Sequence, residues 1–113
     1  MQADQWKERI DRIEECADEA KRAVQAGSVP EPLRQAVDQL HQQARQAKQQ
    51  ASGQQLGQQG QQGLEQAVVQ MEQTGDKAMQ ACRTAGNVDP QAQQAVKRAH
   101  DEISSLKKQI QMG

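Results

Sequence analysis

Phenylalanine and tyrosine are absent from this 113-residue sequence, Trp6 is its only aromatic residue, and prolines number three. Strands draw on aromatic and β-branched side chains, so a β-sandwich or barrel is hard to build from this composition. No charge of one sign dominates: 14 Lys and Arg stand against 15 Asp and Glu, for a formal net charge of -1. The basic excess that steers a protein to nucleic acid or to an anionic membrane is missing, and no nucleic-acid partner is expected. Long apolar runs are missing too. No stretch nears the roughly 20 apolar residues that span a bilayer, and the opening residues Met1 to Arg9 lack the apolar core of a signal peptide. The expectation is a cytoplasmic protein without a transmembrane segment.

What is present in quantity is Gln, with 25 residues, and Ala, with 16, both good helix formers. The length suits one domain of about 100 to 150 residues. Apolar residues recur at steps of three and four in four segments, the spacing of helices packed at a shallow angle. The first stripe is Trp6, Ile10, Ile13, Ala17, Ala20 and Val24, and the second is Leu33, Val37, Leu40, Ala44, Ala47 and Ala51. The third runs Leu64, Val68, Met71, Gly75, Ala78, Cys82 and Ala85, and the fourth runs Ala92, Val96, Ala99, Ile103, Leu106 and Ile110. Gly27 and Gly86 follow the first and third stripes and suit the left-handed conformation that ends a helix. Asp89 and Pro90 supply an N-cap oxygen and a proline at the first helical position, and the second helix is expected to begin between residues 30 and 32.

These segments predict an all-α, antiparallel up-down-up-down four-helix bundle over residues 1–113. It consists of two helical hairpins, 3–51 and 64–111, joined by a flexible Gly/Gln-rich linker at 52–63. The hairpins resemble each other. At an offset of 59, Ala26, Gly27, Val29, Gln35, Ala36, Val37 and His41 recur as Ala85, Gly86, Val88, Gln94, Ala95, Val96 and His100. Upstream the offset is 58, matching Glu14 with Glu72 and Ala20 with Ala78 and placing Trp6 over Leu64 and Ile10 over Val68, the pattern of an internal repeat. Side-chain size fits the antiparallel order. One end gathers the bulky ends of three stripes against Ala44, Ala47 and Ala51; the other sets Leu33, Val37 and Leu40 against thinner neighbours.

The chemistry-bearing residues are few. In the antiparallel bundle Cys16 and Cys82 fall about 12 Å apart along the axis, beyond the roughly 7 Å that a disulfide bridges. Cys82 is therefore expected as a buried thiol and Cys16 as a partly exposed one on the stripe's flank. His41 and His100 also flank the apolar stripe. A di-metal bundle uses a carboxylate three residues before each of two histidines; the chain has Asp38-x-x-His41 but Lys97-x-x-His100. Zinc-type Cys and His spacings are absent, and Ser28, Ser52, Ser104 and Ser105 stand in no nucleophile elbow. No catalytic, cofactor-binding or metal-binding residue is assigned, and no enzymatic activity is expected. Glu14, Glu15, Asp18 and Glu19 read as a solvated face with Asp18–Arg22 and Glu8–Arg12 pairs. Met71 reads as core and Trp6 as a plug at the core's end.

The expected function is interaction with another protein through the polar helix faces, by a protein read as a monomer rather than a hairpin-exchanged dimer. In its Ala- and Gln-rich helical composition the chain also resembles the phasins, which coat bacterial polyester granules. That resemblance implies an amphipathic, surface-associating protein, although the narrow stripes depart from the wide apolar face that lipid binding favours. A metal- or cofactor-binding bundle is the third reading.

Overall fold

The computed structural model describes residues 3–27, 29–53 and 58–112. Four helices, α1 (Ala3–Ala26), α2 (Glu31–Gly53), α3 (Gln58–Ala85) and α4 (Pro90–Met112), form an all-α four-helix bundle of 44 × 25 × 17 Å. Contacts run from α1 to α2, α2 to α3, α3 to α4 and α4 back to α1, closing a ring around one core. Helices of this length are held by burial of their apolar stripes more than by propensity. Nearly every stripe residue is buried; Ile110, in the last turn of α4, and Ala85, at the end of α3, are half-buried.

The core divides by side-chain size. One group joins Trp6, Ile10 and Ile13 to Leu64, Val68 and Met71 and to Ile103 and Leu106, over the small residues Ala44, Ala47 and Ala51. The other sets Leu33 and Val37 against Ala20, Val24, Ala78, Cys82, Ala92 and Val96. Leu40, expected in the second group, belongs to the first together with Ala17 and Ala99, because these residues occupy the middle of their helices where the two groups meet.

The helix ends correct two expectations. Gly86 has a φ of 73° and closes α3 in the left-handed conformation, its N–H donating to the Cys82 carbonyl. Gly27 closes α1 with the equivalent bond to the Ala23 carbonyl but does not have a positive φ. Its lack of a side chain serves close approach instead: a Cβ there would lie 3.1 Å from Oδ2 of Asp89. Asp89 is the N-cap of α4, accepting from the Gln91 N–H at 3.0 Å. Part of the stretch 52–63, expected as a linker, is helical. Helix α2 continues through Gly53 and α3 begins at Gln58, so 52, 53 and 58–63 are helical, while 54–57 lie outside the described residues. Glutamines favour the helix enough to carry it past the glycines, each of which costs about 1 kcal/mol relative to Ala.

Candidate functional site

The polar residues inside the hairpins form a repeated set. In the first hairpin, His41 Nε2 of α2 lies 3.4 Å from Asp18 Oδ1 of α1. In the second, His100 Nε2 of α4 lies 2.6 Å from Asp76 Oδ1 of α3. Asp76 is Asp18 at the offset of 58, and His100 is His41 at the offset of 59. A carboxylate only accepts, so the ring nitrogen facing it is the protonated one. Further along the same helix pairs, Lys48 Nζ lies 3.9 Å from Glu14, and Lys107 Nζ lies 3.0 Å from Glu72. Glu14 and Glu72, and Lys48 and Lys107, again stand at offsets of 58 and 59. Each hairpin is thus clasped by one Asp–His and one Glu–Lys pair at corresponding places.

The two clasps differ in detail. His41 is buried at its place beside the stripe, where it meets Asp18 from α1. His100 is half-buried and packs over Gly75, whose absent Cβ would lie 3.2 Å from His100 Cδ2. The corresponding residue of the first hairpin is Ala17. Ser104 Oγ donates to Glu72 at 2.9 Å, so the second hairpin's acid has two partners.

An Asp–His pair orients an imidazole, but a hydrolytic site also needs a nucleophile on the other ring nitrogen. Ser104 serves Glu72 instead. Asp38 does not reach its neighbour's imidazole as the Asp38-x-x-His41 spacing allowed; His41 takes Asp18 and the Asp38 Oδ1 is buried without a hydrogen-bond partner. Among the described residues no three His, Cys, Asp or Glu side chains gather in a metal-holding group.

Both cysteines are free and buried, which corrects the partly exposed place expected for Cys16. Burial first, then Glu102 of α4 and Glu19 of α1, push the Cys16 thiol above the ordinary range. Burial alone raises that of Cys82. Both lie too deep for the accessible setting of a reactive thiol.

The outer surface carries shallow grooves between neighbouring helices. One, of about 370 Å³, lies between the end of α3 and the start of α4 and includes Met79, Cys82, Arg83 and Lys97. A second, of about 520 Å³, lies between Pro30 and Pro32 of the α2 entry and Lys77, Ala81 and Ala85 of α3. Ion pairs fill other seams: Glu19–Arg98 at 3.1 Å joins α1 to α4, and Arg9 of α1 donates to Gln109 and Ser105 of α4. The Asp18–Arg22 and Glu8–Arg12 pairs lie along α1 at 2.9 and 3.7 Å. Comparison with protein-family models, with characterised proteins and with solved structures finds no match to the chain. No helix is long and apolar enough to cross a membrane among the described residues.

Proposed function

We propose that the protein acts by binding another protein through its exposed helix faces and catalyses no reaction. The observation that carries this reading is the allocation of apolar side chains. The stripes are consumed by the bundle's own core, and among the described residues Val69 is the one large hydrophobic side chain left exposed. A coat protein for a lipid or polyester surface needs a broad apolar face, so the surface-associating reading ranks second. The antiparallel up-down-up-down order belongs to this proposal. Pairing of Glu14 with Lys48 and Asp18 with His41, and of Glu72 with Lys107 and Asp76 with His100, supports it, since numbers rise along one helix as they fall along its neighbour. The shared clasps support an origin of the hairpins by duplication. We take the working form to be a cytoplasmic monomer.

The test is a pull-down with the tagged full chain from cell extract, with and without lipid or granule fractions, read by quantitative mass spectrometry. A protein partner recovered in stoichiometric amount is the expected result. Enrichment that appears only with lipid or granules overturns the reading in favour of surface association.

A further inference from the structure

The two hairpins share a core pattern and matching clasps, which makes each an internal control for the other. Where they differ on the surface, the fold does not dictate the difference. The groove between α3 and α4 is such a place. Its floor holds Met79 and Cys82, and Arg83 and Lys97 rise beside it. At the corresponding positions the first hairpin carries Lys21, Val24, Gln25 and Asp38. A cation has become an apolar side chain, a neutral residue a cation, and an acid a cation, with the buried position kept apolar. The result is an apolar trough flanked by two positive charges.

Arg83 and Lys97 are exposed, make no ion pair among the described residues, and share the groove with no acid. Other grooves mix signs, with Glu65 beside Lys107, Glu8 beside Arg12, and Asp101 and Glu102 beside Arg98 in a groove that Lys97 also lines. Arg83 gains a little from its own helix, since a cation in the last turn of α3 suits the helix dipole. Lys97 lies beyond the first turn of α4 and gains nothing comparable. The groove between α2 and α3 also lacks an acid, but it has one cation, Lys77, and no side chain as adaptable as a methionine.

We infer that the α3–α4 groove at Met79, Arg83 and Lys97 docks an acidic amphipathic helix of a partner protein. This rests on the interaction reading above and assigns its surface. An amphipathic helix lays its apolar side chains into a trough between two helices, here over Met79 and Cys82. Carboxylates flanking that apolar face meet Arg83 and Lys97, which sets orientation and makes binding weaken as salt screens the pairs.

The decisive variant exchanges the groove for its first-hairpin counterpart: Met79→Lys, Arg83→Gln and Lys97→Asp together. The fold already accommodates these residues at the matching positions, and circular dichroism with a thermal melt verifies that the variant is folded. The probes are a fluorescein-labelled Leu/Glu amphipathic peptide and its Leu/Lys counterpart, each added to the isotope-labelled full chain. The Leu/Glu peptide is expected to shift the amide resonances of residues 79–86 and 93–97, and its affinity to fall about tenfold or more in the triple variant. Equal binding by the folded variant, shifts centred elsewhere, or preference for the Leu/Lys peptide overturns the proposal. A mass that rises with concentration in the wild type and not in the variant overturns it in favour of a second copy of this chain. A cellular partner retained equally by both proteins removes the groove while leaving the broader interaction reading standing; no partner for either removes both.

Discussion

Gly75→Ala is expected to stabilise the bundle slightly, by about 0 to 1 kcal/mol, although it adds an atom at a buried position. Glycine within a helix costs roughly 0.5 to 1 kcal/mol relative to alanine, and Gly75 lies inside α3. Against this gain stands His100, whose Cδ2 would be 3.2 Å from the new methyl carbon and must move by a few tenths of an ångström. The ring has room to move. It is half-buried, and Asp76, its partner at 2.6 Å, is 62% exposed in its side chain. A pair so open to solvent contributes roughly 0.2 to 1 kcal/mol, and only part of that is lost as the distance lengthens. The first hairpin displays the relaxed form: Ala17 stands at the glycine's position, and His41 lies 3.4 Å from Asp18. The assay is equilibrium urea unfolding followed by Trp6 fluorescence, with the His100 ring resonances recording any movement. The reverse change, Ala17→Gly, adds unfolded-chain entropy that folding must remove and deletes a fully buried methyl, so it is expected to destabilise by about 1 to 2 kcal/mol. A Gly75→Ala protein less stable than wild type by more than about 1 kcal/mol would falsify the reasoning, because His100 could then not yield.

Four further outcomes follow from the packing and the thiols. Ala44→Leu puts a large side chain where the thin face of α2 meets Ile10, Ile13 and Met71, and should cost about 1 to 3 kcal/mol in the same unfolding assay. Ile103→Ala empties a fully buried site in that group and should cost about 2 to 5 kcal/mol, read as a lower thermal midpoint. Burial raises both thiols, so native Cys16 and Cys82 should resist alkylation at neutral pH while the urea-unfolded chain reacts readily, as mass spectrometry would record. Since both folded thiols titrate above their unfolded range, the stability they contribute is complete below that range. It declines as pH rises through the folded values, measurable as a falling urea midpoint in the alkaline limb.

The four helices were legible because heptad spacing is a local property, and Trp6, Leu33 or Leu64 can be placed on a core stripe from neighbours three and four residues away. The division of the core by size was nearly as legible, since bulky stripe ends need Ala44, Ala47 and Ala51 opposite them. The clasps were legible only in part. The repeat had already matched Glu14 with Glu72 and His41 with His100, and the same two offsets match Asp18 with Asp76 and Lys48 with Lys107. Charged identities compared across both halves pair these residues from sequence alone. Spacing within α2 gives no guide to the partner of His41, because a histidine beside the stripe can meet an acid on either side. The depth of Cys16 and the role of Gly27 were not legible. Each depends on a residue more than sixty positions away, Glu102 near Cys16 and Asp89 against Gly27, and no local pattern encodes such a contact. The α3–α4 groove needed both the fold and the repeat, since only their combination shows Met79, Arg83 and Lys97 gathered where the other hairpin has Lys21, Gln25 and Asp38.

In the proposed arrangement two like hairpins close on each other with opposed ends, leaving polar faces and one basic, apolar groove for contact with a partner. Methyl-resolved NMR on the full-length monomer tests it most directly. The account predicts nuclear Overhauser contacts from Ile10 and Ile13 to Ile103 and Leu106, and from Val24 to the group of Ala92 and Val96. Contacts joining Ile10 to Val96 and Val24 to Leu106 would contradict it, because they require α1 and α4 to run in the same direction.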